Sequence, residues 1–160
     1  MSSRRAQSGL FILEALVAIL IFMLGILGMV GVSAMAVSAQ SDAQYRSEAG
    51  RLANEISQKI ALRVTRTTNP AALPASLLTF AHQPTGVATT CNYSGTASTD
   101  DVITDWATAV QAALPGSSAA MQQILVDTDA DGFNRVTVHL CWRTPSDTAA
   151  RLHTLVTLVN

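Results

Sequence analysis

The chain has little charge. Asp, Glu, Lys and Arg make up only 13% of its 160 residues, and ten basic against eleven acidic side chains leave a formal net charge of −1. Its basic residues are scattered, so the electrostatic footprint of a nucleic-acid binder is missing. An apolar share of 49% argues equally against disorder. There are two cysteines, Cys91 and Cys141, and neither sits in a CxxC or other metal spacing. No Ser-His-Asp arrangement, nucleophile elbow, phosphate loop or dinucleotide fingerprint occurs. An enzymatic role, a small-molecule substrate and a cofactor are therefore not expected. The most telling absence is local: no charged residue occurs between Ala15 and Ser41. A run of that length can cross a bilayer core, which needs about 20 apolar residues.

What is there is a nearly continuous apolar stretch from Gly9 to Ala39, interrupted once, at Glu14, and preceded by Arg4 and Arg5. Without those two arginines the remainder carries eight basic and eleven acidic side chains, a net −3. The stretch is too long for the apolar region of a secretory signal, about 7–15 residues. As a simple anchor it places the N-terminus in the cytoplasm, because no positive charge follows until Arg46. That reading leaves Glu14 either without a role or reaching to the membrane edge. An acid inside an apolar run is costly and is a functional candidate by default. Gly25, Gly28 and Gly31 recur every third residue, and each glycine costs a helix about 1 kcal/mol against alanine. Two readings stand: close helix packing through small residues, or a stretch that loosens when the chain leaves the bilayer.

Beyond Asp42 the pattern becomes amphipathic. Tyr45, Ala49, Leu52, Ile56, Ile60 and Val64 fall at spacings of three and four. Glu48–Arg51, Arg51–Glu55 and Glu55–Lys59 are helix-spaced ion pairs on the other faces. The expectation is one helix from about Leu10 to Arg66, on the order of 85 Å long at 1.5 Å per residue, ended by Asn69-Pro70. Residues 70–104, rich in Pro, Thr, Ser and Gly, read as a long loop with a short helix at about 75–81. A second short helix opens at Asp105-Trp106, capped by Asp105 or Thr104 and stopped by Pro115-Gly116. Trp106 is expected in the core. Three strands follow, at 123–127, 134–143 and 150–159, forming an antiparallel meander. In the middle strand Val136, Val138, Leu140 and Trp142 share the face expected to pack on the helix. Cys141 lies on the other face, where a disulfide to Cys91 would pin the loop to the sheet; export past a membrane favours that bond over two free thiols.

Two further groups raise metal chemistry. Asp127, Asp129, Asp131 and Gly132 have the spacing of a calcium loop. The twelfth position holds Val138 instead of Glu, and no helices flank the loop, so an Asp/Gly turn is the better reading and calcium the minor one. His139 and His153 fall on adjacent strands and could approach, but with no third ligand they read as surface histidines. His82 has no recognisable partner.

The N-terminal residues carry a family resemblance. SSRRAQSG followed by LFILEALVAILIF resembles the leader of type IV pilins and pseudopilins: a short basic leader ending in Gly, a hydrophobic first residue after the cut, and Glu five residues on. Leu10 stands where Phe is usual, with Phe11 next. The resemblance implies cleavage after Gly9 by a prepilin peptidase and an N-methylated Leu10. It implies residues 1–9 as leader, 10–39 as the transmembrane half of the helix, 40–66 as its periplasmic half and 67–160 as a globular head. The implied fold is α+β, a long N-terminal helix on a C-terminal antiparallel sheet, which is also the arrangement read from the residues. Gly25-Ile-Leu-Gly28, the Cys91 loop, Trp106 with Leu114-Pro115-Gly116, and Cys141-Trp142 look like the PilV type of minor pilin. Its implied partners are other minor pilins, the major pilin and a tip adhesin, first in the inner membrane and then in the pilus. A minor pseudopilin of type II secretion, the GspI type, is the alternative. More remote is a membrane-anchored periplasmic module that binds calcium or another ligand.

Overall fold

A computed structural model describes residues 8–128 and 132–159. The described chain forms helix α1 (Ser8–Arg63), helix α2 (Ala72–Leu78), helix α3 (Asp101–Ala113) and strands β1 (Gln122–Thr128), β2 (Asn134–Trp142) and β3 (Arg151–Val159). It divides into two units, with the boundary between Ala43 and Gln44. In the first, the large apolar side chains from Leu10 to Val37 are 46–76% exposed. This unit is one helix, long and apolar enough to cross a membrane. Two serines of its later turns bond back to the helix: Ser33 Oγ donates to the Met29 carbonyl (2.9 Å) and Ser41 Oγ to that of Val37 (3.1 Å).

The second unit is α+β. Of the stripe the spacing predicts, Ala49, Leu52, Ile56, Ile60 and Val64 are buried and Tyr45 half-buried, and Ala53 is buried beside them. They share one core with Ile103, Trp106 and Val110 of α3 and with Ile124, Val136, Val138, Leu140 and Trp142 of the sheet. The Trp106 indole N–H donates to the Leu52 carbonyl at 3.0 Å, which fixes α3 against α1. The strands follow one another, β1-β2-β3, all antiparallel. The turn from β2 to β3 is built on Asp147. Its carboxylate accepts from the Thr144 amide (3.0 Å) and pairs with Arg151 (2.7 Å).

Three boundaries differ from the sequence expectation. Helix α1 stops at Arg63, short of Asn69-Pro70. The last helical amide is that of Val64, bonded to Ile60 (3.1 Å); the Thr65 amide turns to Ser76 Oγ (3.0 Å), and Arg66 reaches back to the Ala61 carbonyl (2.8 Å). A side-chain acceptor from α2 thus ends the helix before the proline can. Helix α2 begins three residues earlier than expected. Helix α3 begins at Asp101, and its cap is Asp100 rather than Thr104 or Asp105: Asp100 is extended, and its carboxylate accepts from the Val102 amide at 2.9 Å. Arg63 pairs with both Asp100 and Asp101 (3.3 and 2.8 Å), so an ion pair from α1 meets that start.

Candidate assembly site

Glu14 lies on the helix of the first unit, and its surroundings follow from helical spacing. Leu10, Leu13, Val17, Ala18 and Ile21 line the same stripe. A second apolar stripe runs through Leu16, Ile19, Leu20, Met23, Leu24 and Leu27. Among the described residues nothing pairs with the Glu14 carboxylate. Leu10 is one turn away from it. The arrangement is a single acid in an exposed run that is otherwise free of charge up to Ser41, able to accept a hydrogen bond or pair with a cation from outside the chain. Arg4 and Arg5 lie outside the described residues. Helix α1 passes through Gly25, Gly28 and Gly31 unbroken, and a side chain at any of the three would meet open space.

Cys91 and Cys141 form a disulfide. It lies on the sheet face away from α1, in a second, smaller core with Tyr93, Met121, Ala150 and Leu152. The residue 79–98 loop is thereby fastened to the sheet, and other bonds hold it too. His82 exchanges both backbone bonds with Ile124 (3.0 Å each), Tyr93 donates to Ala120 (2.8 Å), and Thr85 and Ser94 exchange a pair at 2.9 Å.

The histidines differ from the sequence expectation. His139 is buried, at 8% exposure, rather than on the surface. It stacks on Tyr93 with 5.9 Å between ring centres and bonds Gln123 Oε1 at 2.9 Å; Gln123 Nε2 then donates to the Gln83 carbonyl (2.9 Å). His139 is opposite Thr154 and His153 opposite Leu140, so alternation along the strands puts the two imidazoles on opposite faces. His153 instead lies over Gly50 of α1. His82, expected without a partner, is buried, and its Nδ1 accepts from the Ser98 amide (3.2 Å). Burial pushes the His82 and His139 imidazoles below their usual range and the Tyr93 phenol up to about 12. The buried Gln123 and His139 escaped the sequence reading because Gln is mostly exposed and His is found on either side; the signal was their place on the same strand face as Cys141.

Of the calcium candidates, Asp129 and Asp131 lie outside the described residues. Asp127 is held by Arg135 in a two-pronged cross-strand pair (2.9 and 2.8 Å). Among the described residues no group of three or more His, Cys, Asp or Glu is placed to hold a metal ion. Comparisons with models of protein families, with curated proteins and with solved structures returned no match.

Proposed function

We propose that this chain is a minor pilin of the PilV type, which takes part in priming a type IV pilus and sits at or near its tip, joining other minor pilins or a tip adhesin to the fibre. The observation that carries the reading is Glu14, the single charge in the exposed apolar run of α1 from Leu10 to Ser41. Cleavage after Gly9 leaves an α-amine on Leu10, one turn from that acid. In a bundle of parallel helices the Glu14 of one subunit neutralises the amine of its neighbour and sets the register between them. An unpaired charge in an apolar setting is expensive, and a paired one much less so. The single-pass anchor and the helix-on-sheet head supply the frame this role needs. The cytoplasmic N-terminus and the later place in the pilus belong to the proposal.

A deletion strain complemented with the wild-type chain, Glu14→Ala or Glu14→Gln tests it, scored for surface pili, twitching and type II secretion. Removing one partner of a buried pair costs about 3–5 kcal/mol, so both variants are expected to lower assembly more than a hundredfold. Mass spectrometry of the wild-type chain is expected to find Leu10 as a methylated N-terminus. Normal pili with lost secretion would favour the pseudopilin. An uncut leader would end both readings and leave the anchored binding module.

A further inference from the structure

The two edges of the sheet are unlike. The outer edge of β1 is engaged at Ile124, whose N–H and C=O both bond His82. Strand β3 has β2 as its one sheet neighbour, and among the described residues no other backbone group pairs with its outer edge from Leu152 onward. Exposed edges are normally guarded by lysine, proline, a bulge or short length. Strand β3 has none of these. It is nine residues long, and its register with β2 runs without a bulge. From Leu152 to Val159 it reads LHTLVTLV, with no Asp, Glu, Lys or Arg, no proline and no glycine. On its outer face Thr154 is exposed, and Val156 and Leu158 are 53% and 54% exposed. The loop tied by Cys91 covers the other end of that face at Leu152 and leaves Val156 and Leu158 open.

We infer that the outer edge of β3 is a docking edge for one extended, uncharged strand donated by a different protein chain. The open backbone groups accept only an extended segment, which adds as a fourth strand. From Leu152 onward the edge carries no Asp, Glu, Lys or Arg and offers nothing to a charged partner. Val156 and Leu158 take apolar or β-branched side chains at alternate positions of the incoming strand. A second copy of this chain is the poorer occupant. Antiparallel pairing of two β3 edges about a two-fold axis reverses everything that lies along the sheet, including residues 44–63 of α1. The two Gln44 ends would then face opposite ways, against the proposed function, on which this step rests and in which both lead to one bilayer. Head-to-tail pairing needs the β1 edge, which His82 already holds.

The test uses the full chain in lipid nanodiscs and a synthetic nine-residue peptide of alternating Thr and Val. N-methylation of alternate residues along one edge lets this peptide pair once without self-assembly. Amide hydrogen exchange is followed by NMR. The peptide is expected to slow exchange of the outward amides of residues 151–159 at least tenfold and saturably, with residues 122–128 unchanged. A peptide methylated on both edges is expected to do nothing. Val156→Lys, at an exposed position, is expected to keep the wild-type unfolding transition and to weaken the effect at least tenfold. No slowing with the first peptide, equal slowing with the doubly methylated one, or no loss in Val156→Lys would each overturn the inference. So would protection already present without peptide and lost on dilution, which would make the occupant a second copy.

Discussion

Reduction of the Cys91–Cys141 disulfide is expected to cost the second unit about 4 kcal/mol. The bond joins residues 50 apart in sequence, and the loop it closes contains α3, β1 and most of β2. In the unfolded chain a cross-link over a loop of about 50 residues removes roughly 14 cal/mol/K of entropy, or about 4 kcal/mol at 25 °C. The closed loop also carries Ile103, Trp106, Val110, Leu114, Ile124, Val136, Val138 and Leu140 of the core, so the effect is felt in global unfolding rather than in one frayed strand. Both tryptophans are buried, which makes indole fluorescence a direct reporter. In urea, with a slope of about 1.5–2 kcal/mol/M for a unit of this size, the midpoint is expected to fall by about 2 M on reduction. The double variant Cys91→Ala, Cys141→Ala is expected to match the reduced wild type and to be indifferent to reductant. A shift below about 1 kcal/mol in both would refute the reasoning, because the loop would then be held by its backbone bonds alone.

Gly116 sits at φ +61°, and a side chain there would collide with the Arg143 carbonyl oxygen. Gly116→Ala is therefore expected to lose about 2 kcal/mol or more, read by the same urea titration. Asp100→Ala removes the α3 cap and is expected to cost about 1 kcal/mol; thermal melts of variant and wild type check it. Stability is expected to fall as pH drops from 7.5 to 5.5. His82 and His139 titrate below their usual value of 6.5 when folded, so between their folded values and 6.5 the unfolded chain binds more protons. Their contribution is complete above 6.5 and is lost as pH falls through the folded values. Urea midpoints across that range measure it, and a flat profile in wild type would contradict the burial of these rings.

The helix and the sheet were legible because both rest on period. Spacings of three and four from Tyr45 to Val64 and the alternation from Val136 to Trp142 are imposed by burial of one face, which sequence records directly. The face of Cys141, and hence a disulfide on the far side of the sheet, followed from the same alternation. What escaped depends on partners distant in sequence. Arg63 meets Asp100-Asp101 at the start of α3 from 37 residues away, and Ser76 ends α1 by taking the Thr65 amide. Neither contact leaves a local signal, although the Asp100 cap is itself a local one that competes with Thr104 and Asp105. His139 was misplaced for a related reason: its face is outward by alternation, but the residue 79–98 loop folds over it, and loop placement has no period.

The change of solvent along α1 is also written in the residues. The ladder Glu48–Arg51–Glu55–Lys59, with contacts of 2.7–2.8 Å between successive pairs, lies on exposed helix faces beside a buried stripe, as water requires. From Leu10 to Val37 there is neither ladder nor buried stripe, so some other apolar phase must cover that surface. Lipid and neighbouring helices place opposite demands on position 14. If lipid is the whole cover, the acid is a cost, and an apolar residue in its place makes the anchor better. If the cover is a bundle of like helices with charged N-termini, the acid is what makes the bundle specific. A charge so placed, in a run otherwise free of charge up to Ser41, is hard to account for by the anchor alone. It fits the proposal of a helix that leaves lipid and is received by others of its kind.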